Sequence, residues 1–181
     1  MPEPVYIVEY DPQWPLVFAG LADTVRRGLG SLILRVEHVG STAVPGLSAK
    51  PVIDIDVVIP TRASMPEAVE ALRELGYAHE GDMGIPGREA FAAPAGTPVH
   101  HLYVCAADSP ELARHLAFRD FLRTHADSAR RYDELKRDLA ARYRHDRAAY
   151  STGKTAFVEG VLAQTRAHAD RSAGSGRRHP A

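Results

Sequence analysis

The chain has 181 residues, 45% of them hydrophobic and 25% charged, with a net charge of −1. That length suits one domain with a real core, and near-neutral charge excludes a general binder of nucleic acid or anionic membrane acting through bulk attraction. No apolar run approaches the roughly 20 residues that span a bilayer, the Met-Pro-Glu-Pro start lacks signal-peptide features, and a lone Cys105 leaves no internal disulfide, so a cytoplasmic single-domain protein is expected.

Residues 5–10 read as a short edge strand. Asp11-Pro12 then resembles a helix cap followed by proline, and Trp14, Phe18, Leu21 and Val25 recur at spacings of four, three and four, the face of an amphipathic helix that Gly28 and Gly30 end. Ile33 to Val39 is a strand of branched apolar residues broken by Gly40. Ser41 and Thr42 offer hydroxyls and backbone N–H groups to a phosphate, and Val44-Pro45-Gly46 is a turn. Pro51 opens a second strand carrying Asp54 and Asp56, twelve residues beyond Ser41. Strand alternation puts both aspartates on one face and Ile53, Ile55 and Val57 on the other. Two carboxylates one pleat apart in an apolar strand need neutralising. Water, arginines or a divalent cation could do so, and Mg²⁺ suits one or two carboxylates completed by water and phosphate oxygens.

Pro66, Val69, Leu72 and Leu75 mark a further helix, stopped by Gly76. Residues 77–98, rich in glycine and proline, read as a short hairpin or a loop over the site. Arg88 lies there, either an exposed loop arginine or a guanidinium gripping phosphate. Residues 99–105 form a third strand in which His100 and His101 face opposite ways, so at most one joins the aspartates.

The remainder is helical. Asp108 or Ser109 caps a helix with Pro110 in its first turn and Leu112, Leu116, Phe121 and Leu122 on its buried stripe. Tyr132, Leu135, Leu139 and Tyr143 mark a second helix, and Phe157, Val161 and Leu162 a third beginning near Ser151. Arg119, Arg123, Lys136 and Arg137 read as a solvated, salt-paired surface, with Asp133 and Arg137 at i,i+4. Ser151-Thr152-Gly153-Lys154-Thr155 is not a P-loop, because Ala148 stands where a glycine is required and a helix precedes it. Lys154 is either a surface lysine or a point charge for phosphate. The core is expected over about 1–106, the C-terminal helices over about 108–168, and a disordered tail over 169–181.

Gly40-Ser41, a short spacer and hydrophobic-Asp-hydrophobic-Asp-hydrophobic resemble the signature of the nucleotidyltransferase fold. More narrowly, His38-Val39-Gly40-Ser41-Thr42-Ala43-Val44-Pro45-Gly46-Leu47 with Ala49-Lys50-Pro51-Val52-Ile53-Asp54-Ile55 resembles the GrpB-like family. The likeness continues through Gly87-Arg88, His100-His101-Leu102, residues 118–123 and Lys154, over roughly residues 5–165. Members of that family occur alone or fused to dephospho-coenzyme A kinase. The resemblance implies an α/β (α+β) fold, a small mixed sheet with flanking helices and a C-terminal helical segment. It implies Mg²⁺-dependent transfer of a nucleotidyl group from a nucleoside triphosphate to an unknown small-molecule or protein acceptor, with Mn²⁺ as a substitute metal. Asp54 and Asp56 would hold metal; Gly40, Ser41, Thr42, Arg88 and Lys154 would bind phosphates; His101 or His100 would be the base. One departure stands out. The superfamily usually places a third carboxylate on the strand beside Asp-x-Asp, and here His100, His101 or Tyr103 occupies that region, leaving Glu80, Asp82 or Glu89 to swing in from the loop. The alternative is a non-catalytic nucleotide- or metabolite-binding module, accessory to coenzyme A metabolism. No membrane partner is expected, and the oligomeric state is not readable.

Overall fold

Five strands and six helices form around the β-branched runs, and the computed structural model describes residues 4–175, with side chains through residue 168. In chain order these are α1 (Trp14–Leu29), β1 (Arg35–Val39), β2 (Ile53–Ile59), α2 (Met65–Glu74), β3 (Ala78–Gly81), β4 (Arg88–Ala92), β5 (His100–Ala106), α3 (Pro110–Thr124), α4 (Ala126–Arg142), α5 (Arg147–Gly153) and α6 (Thr155–Ser175). The strands lie in the order β1-β2-β5-β4-β3. Only the β2–β5 pair is parallel, which requires the long crossover that α2 and the β3–β4 hairpin supply. The sheet is mixed, as expected.

Its two faces differ sharply. On one, Ile53, Ile55, Val57 and Ile59 of β2 and Leu102 and Val104 of β5 pack under α1 and α2 with Trp14, Val25, Leu29 and Leu72, all buried. Each such side chain contributes roughly 1.5–3 kcal/mol by leaving water. The other face carries Asp54 and Asp56, with α3 laying Leu112 and Leu116 against Val58 and Cys105. Helices α3, α4 and α6 close a second cluster of Phe121, Leu122, Tyr132 and Val161 on Val44 and Leu47 of the β1–β2 connection. Among the described residues no helix is long and apolar enough to cross a membrane.

Two local expectations are corrected, and one choice between alternatives is decided. Residues 5–10 contribute only an isolated bridge, Val8 to Ala49, because the chain pairs there with a loop rather than with a strand. Of the two forms expected for the glycine-rich stretch, a hairpin or a loop over the site, the structure shows the hairpin. It forms β3 and β4, and β4 pairs with β5, burying Ala90 and Phe91. Helix α6 continues through Ser175, into the stretch expected to be disordered. Residues 176–181 of that expected tail lie outside the described residues.

Candidate active site

Gly40 ends β1 with φ 72 and ψ −171, backbone that essentially only glycine adopts. Space requires glycine as well, since a Cβ there would stand 2.2 Å from Asp54 Oδ2. The turn then runs through a short 3₁₀ segment, Ser41–Ala43, and returns to β2. Register fixes what shares the aspartates' face. Asp54 lies beside Val39 and His101, and Asp56 beside Glu37 and Tyr103.

Each aspartate has one oxygen held by an imidazole and one without a hydrogen-bond donor. His101 Nδ1–H donates to Asp54 Oδ1 at 2.9 Å. His115 Nδ1–H, from α3, donates to Asp56 Oδ2 at 2.7 Å, and its Nε2 lies 3.2 Å from Glu111 Oε1. Burial opposes a charge on His115, but the hydrogen bonds and charges of Asp56 and Glu111 outweigh it and raise its pKa to about 9. Asp56 is fully buried, yet its Oδ1 has no hydrogen-bond partner. An orphaned carboxylate oxygen in a sealed position is costly unless something completes it. Asp54 Oδ2 and Asp56 Oδ1 therefore fit a hard divalent cation. Among the described residues no three His, Cys, Asp or Glu side chains converge on one point, so water and substrate oxygens would supply the other ligands.

Beside Asp54 opens a cavity of about 230 Å³ lined by Ser41, Thr42, Lys50, His101, Lys136, Arg147, Tyr150, Ser151 and Lys154. Its cations are destabilised as cations. Burial, then Lys50, lower the Lys154 amine to about 8, although Asp54 favours its charge. Burial and Arg147 lower Lys50, and burial lowers Lys136 to about 7. Lys154 Nζ sits 4.4 Å over the Tyr150 ring and Lys136 Nζ 5.0 Å over that of Tyr132. Arg147 reaches His101 Nε2 at 3.4 Å. Desolvated positive groups with little counter-charge suit a phosphate chain.

The C-terminal helices hold the turn after Gly40 rather than merely covering it. Arg123 donates twice to the Ala43 carbonyl, at 2.9 and 2.7 Å, and Arg119 donates to the His38 carbonyl at 3.0 Å and to Glu37 at 2.7 Å. Lys136 Nζ donates to the Ser48 carbonyl, and the Ser48 amide donates to Asp133 Oδ1 at 3.0 Å. The solvated-surface reading is thereby corrected for Arg119 and Lys136, whereas Arg123 stays exposed and paired with Asp120 at 3.6 Å while it holds the turn. The sequence spacing shows which helix face they share but not that this face meets a loop. The expected Asp133–Arg137 pair is present at 2.8 Å.

The structure brings Gly40, Ser41, Thr42, Asp54, Asp56, His101 and Lys154 together. Thr42 is internally spent, its buried hydroxyl 3.0 Å from His38 Nε2. His100 is not part of the group: it points to the opposite face, where its ring bonds the Tyr77 hydroxyl at 2.9 Å and the Pro98 carbonyl at 2.6 Å. Arg88 lies in β4, stacked 4.0 Å over the Tyr103 ring, and does not line the cation-rich cavity. None of the loop carboxylates completes the site. Glu89 accepts from His79, Asp82 caps Gly84, and Glu80 lies exposed on edge strand β3. Glu37 neighbours Asp56, but Arg35 and Arg119 hold both its oxygens. Lys50, Arg147, His115 and Glu111 were missed. Lys50 stands within the Ala-Lys-Pro-Val-Ile-Asp run, and Glu111 and His115 at i,i+4 on a helix were a usable signal; Arg147 offered none.

Comparison with known proteins places this geometry. A family model described as GrpB protein matches residues 4–164. A UPF0157 protein of Pseudomonas aeruginosa is 40% identical over 164 residues, covering 87% of this chain and 66% of that protein. A dephospho-CoA kinase of Mycolicibacterium paratuberculosis is 31% identical over 81% of this chain and 42% of its own length. The chain spans 66% and 45% of the first two curated relatives it matches. The crystal structure of conserved protein GrpB from Enterococcus faecalis superimposes with a TM-score of 0.80 at 32% identity, covering 88% of this chain and 96% of that one. The Cid1 poly(U) polymerase bound to MgATP gives 0.54 at 10% identity, over 75% of this chain and 43% of that one, a likeness of fold alone. Residues, register and architecture agree on a nucleotidyltransferase-like fold, and the chain belongs to the GrpB family.

Proposed function

We propose that the protein transfers a nucleotidyl group from a nucleoside triphosphate to an acceptor hydroxyl in a Mg²⁺-dependent reaction. The observation that carries this reading is the pairing of two aspartate oxygens that no protein donor satisfies with an adjoining cavity of desolvated cations. Bound at Asp54 and Asp56, Mg²⁺ would neutralise charge on the phosphates and on the departing pyrophosphate. Lys50, Arg147 and Lys154 hold the triphosphate, and Ser41 contributes its hydroxyl. The acceptor oxygen bonds to the α-phosphorus as the bond to pyrophosphate breaks, and pyrophosphate leaves with that electron pair. With Nδ1–H committed to Asp54, the Nε2 lone pair of His101 faces the cavity. It takes the acceptor's proton once Arg147 turns to the phosphates.

The test is calorimetric titration with each nucleoside triphosphate, with and without Mg²⁺, for the native protein and Asp54→Asn/Asp56→Asn. Mg²⁺-dependent binding lost in the double variant supports the reading. Absence of nucleotide binding, or equal binding by the variant, overturns it.

A second reading has one observation in its favour. Tyr103 stands beside Asp56 where a third carboxylate would assist, and arginines hold Glu37. A nucleotide-binding module without turnover, in keeping with the dephospho-CoA kinase relative, would retain affinity and release no pyrophosphate.

A further inference from the structure

Arg88 is only 9% exposed, and its Nε is sealed from solvent with no acceptor. Among the described residues its guanidinium makes no hydrogen bond and no ion pair. It stacks on the Tyr103 ring, 4.0 Å from the centroid. A face-on aromatic offsets only part of the cost of burying an unpaired charge. Among the described residues no carboxylate pairs with it. Glu111, the carboxylate whose charge Arg88 influences, is held by His115 at 3.2 Å and Arg114 at 3.4 Å. The Cys105 thiol opposite Arg88 stays neutral, pushed up to about 12 by burial and then by Asp56. The Ser109 hydroxyl is spent on the Gly87 carbonyl at 3.2 Å.

Position separates this cation from the triphosphate. Arg88 shares the sheet face of Asp56 but lies two strands away across β5, on the order of 10 Å between strand axes. The lysine cavity opens on the other side of the aspartates and includes no residue of β4. The two orphans, Asp56 Oδ1 and the Arg88 Nε, thus lie on one face of the sheet and call for opposite charges.

The geometry points to a second anion site at Arg88, for the carboxylate or phosphate of a small acidic acceptor whose hydroxyl reaches the aspartate pair. The acceptor role rests on the nucleotidyl-transfer reading; the anion site does not. Burial of Arg88 favours a metabolite over the end of a polymer, because a chain would have to pass a residue with little open surface.

The test loads the protein with Mg²⁺ and a non-hydrolysable ATP analogue, then titrates inorganic phosphate and, separately, acetate. The wild-type Arg88 Nε–Hε nuclear magnetic resonance signal, assigned by its loss in Arg88→Lys, reports occupancy. Calorimetry on Arg88→Met and Arg88→Lys gives affinities for both ligands. The expected result is that the anion moves the Arg88 signal in nucleotide-loaded protein. Arg88→Met should lose at least tenfold in anion affinity and Arg88→Lys less, with nucleotide affinity within twofold of wild type. The stronger of the two anions identifies the acceptor's group. An Arg88 signal that neither anion moves overturns the inference. So does a loss of nucleotide affinity in Arg88→Met equal to the loss for the anion, which would assign Arg88 to the triphosphate and leave the transfer reading standing. If nucleotide fails to bind while the anion still moves Arg88, the anion site stands and the transfer reading falls with the acceptor role. Should Arg88→Met not fold, the wild-type signal and Arg88→Lys still decide.

Discussion

Gly40→Ala strikes the joint between the turn that ends β1 and the first aspartate. The backbone there, at φ 72 and ψ −171, costs an alanine about 1–3 kcal/mol. The new methyl carbon would lie 2.2 Å from Asp54 Oδ2, so the carboxylate must retreat by roughly 1 Å to reach ordinary contact. That movement breaks the 2.9 Å bond from His101, a charged hydrogen bond worth about 1.5–3 kcal/mol. The sum, about 4 kcal/mol, lowers Tm by roughly 10 °C for a chain of this size. Gly46→Ala is the control, because Gly46 has φ +79 but nothing within 4 Å of the added carbon; it carries the backbone cost alone. Differential scanning calorimetry compares the two, with Gly40→Ala/Asp54→Ser as a third protein in which the clash is removed. Gly40→Ala should be clearly the less stable single variant, and Asp54→Ser should restore part of the loss. Equal melting of the two glycine variants, or no recovery in the double, refutes the close approach of Gly40 to Asp54.

Burial holds the His38 imidazole down to about 4, against a favourable pull from Asp54 and with Arg123 and Arg119 disfavouring charge. The unfolded chain takes its proton below about 6.5 and the folded chain does not, so this contribution is complete above 6.5 and is lost as pH falls to 4, roughly 3 kcal/mol in all. Urea melts of wild type and His38→Gln over that range should converge by that amount, and parallel curves would contradict the assignment. Lys136→Met replaces an amine that burial lowers to about 7 with a side chain of similar length. The unfolded chain holds that proton up to about 10.5, so wild-type stability should gain on the variant by a few kcal/mol as pH rises from 7 to 10.5, and a constant gap would refute it.

The aspartate pair was legible because strand parity is a local property: Asp54 and Asp56 must share a face whatever surrounds them. Parity also showed that only one of His100 and His101 could join them. Choosing between them needed the β2–β5 register, in which Asp54 lies beside His101, and register depends on a crossover that no local pattern encodes. The glycines and prolines of residues 77–98 leave Arg88 open to a loop as well as a hairpin, and pairing of β4 with β5, which buries Phe91 and Ala90, draws the segment into the sheet. Arg119, Arg123 and Lys136 show the same limit on helices. Their spacing is that of a charged surface, and only the packing of Phe121, Leu122 and Tyr132 on Val44 and Leu47 turns that surface onto the carbonyls of the turn. His115 and Arg147 reach the site through the same docking of helices.

Whole-chain charge hides the chemistry of this site for a related reason. The protein carries a net charge of only −1, but Lys50, Lys136, Arg147 and Lys154 converge on a cavity in which Asp54 is the one carboxylate lining residue. Burial lowers the three lysine amines, and the neighbouring cations lower them further, so the cavity is held together against repulsion. A few ångströms away, Asp56 keeps a sealed oxygen with no donor. Excess positive charge and an unsatisfied carboxylate cannot neutralise one another here, because the two lie on different elements and the carboxylate is closed in under α3 by His115. A phosphate chain alone would satisfy the lysines and worsen the position of Asp56, whereas a divalent cation alone would do the reverse. A metal–phosphate ligand answers both at once, which is why its two components should bind with positive coupling, each raising the affinity of the other by the same factor.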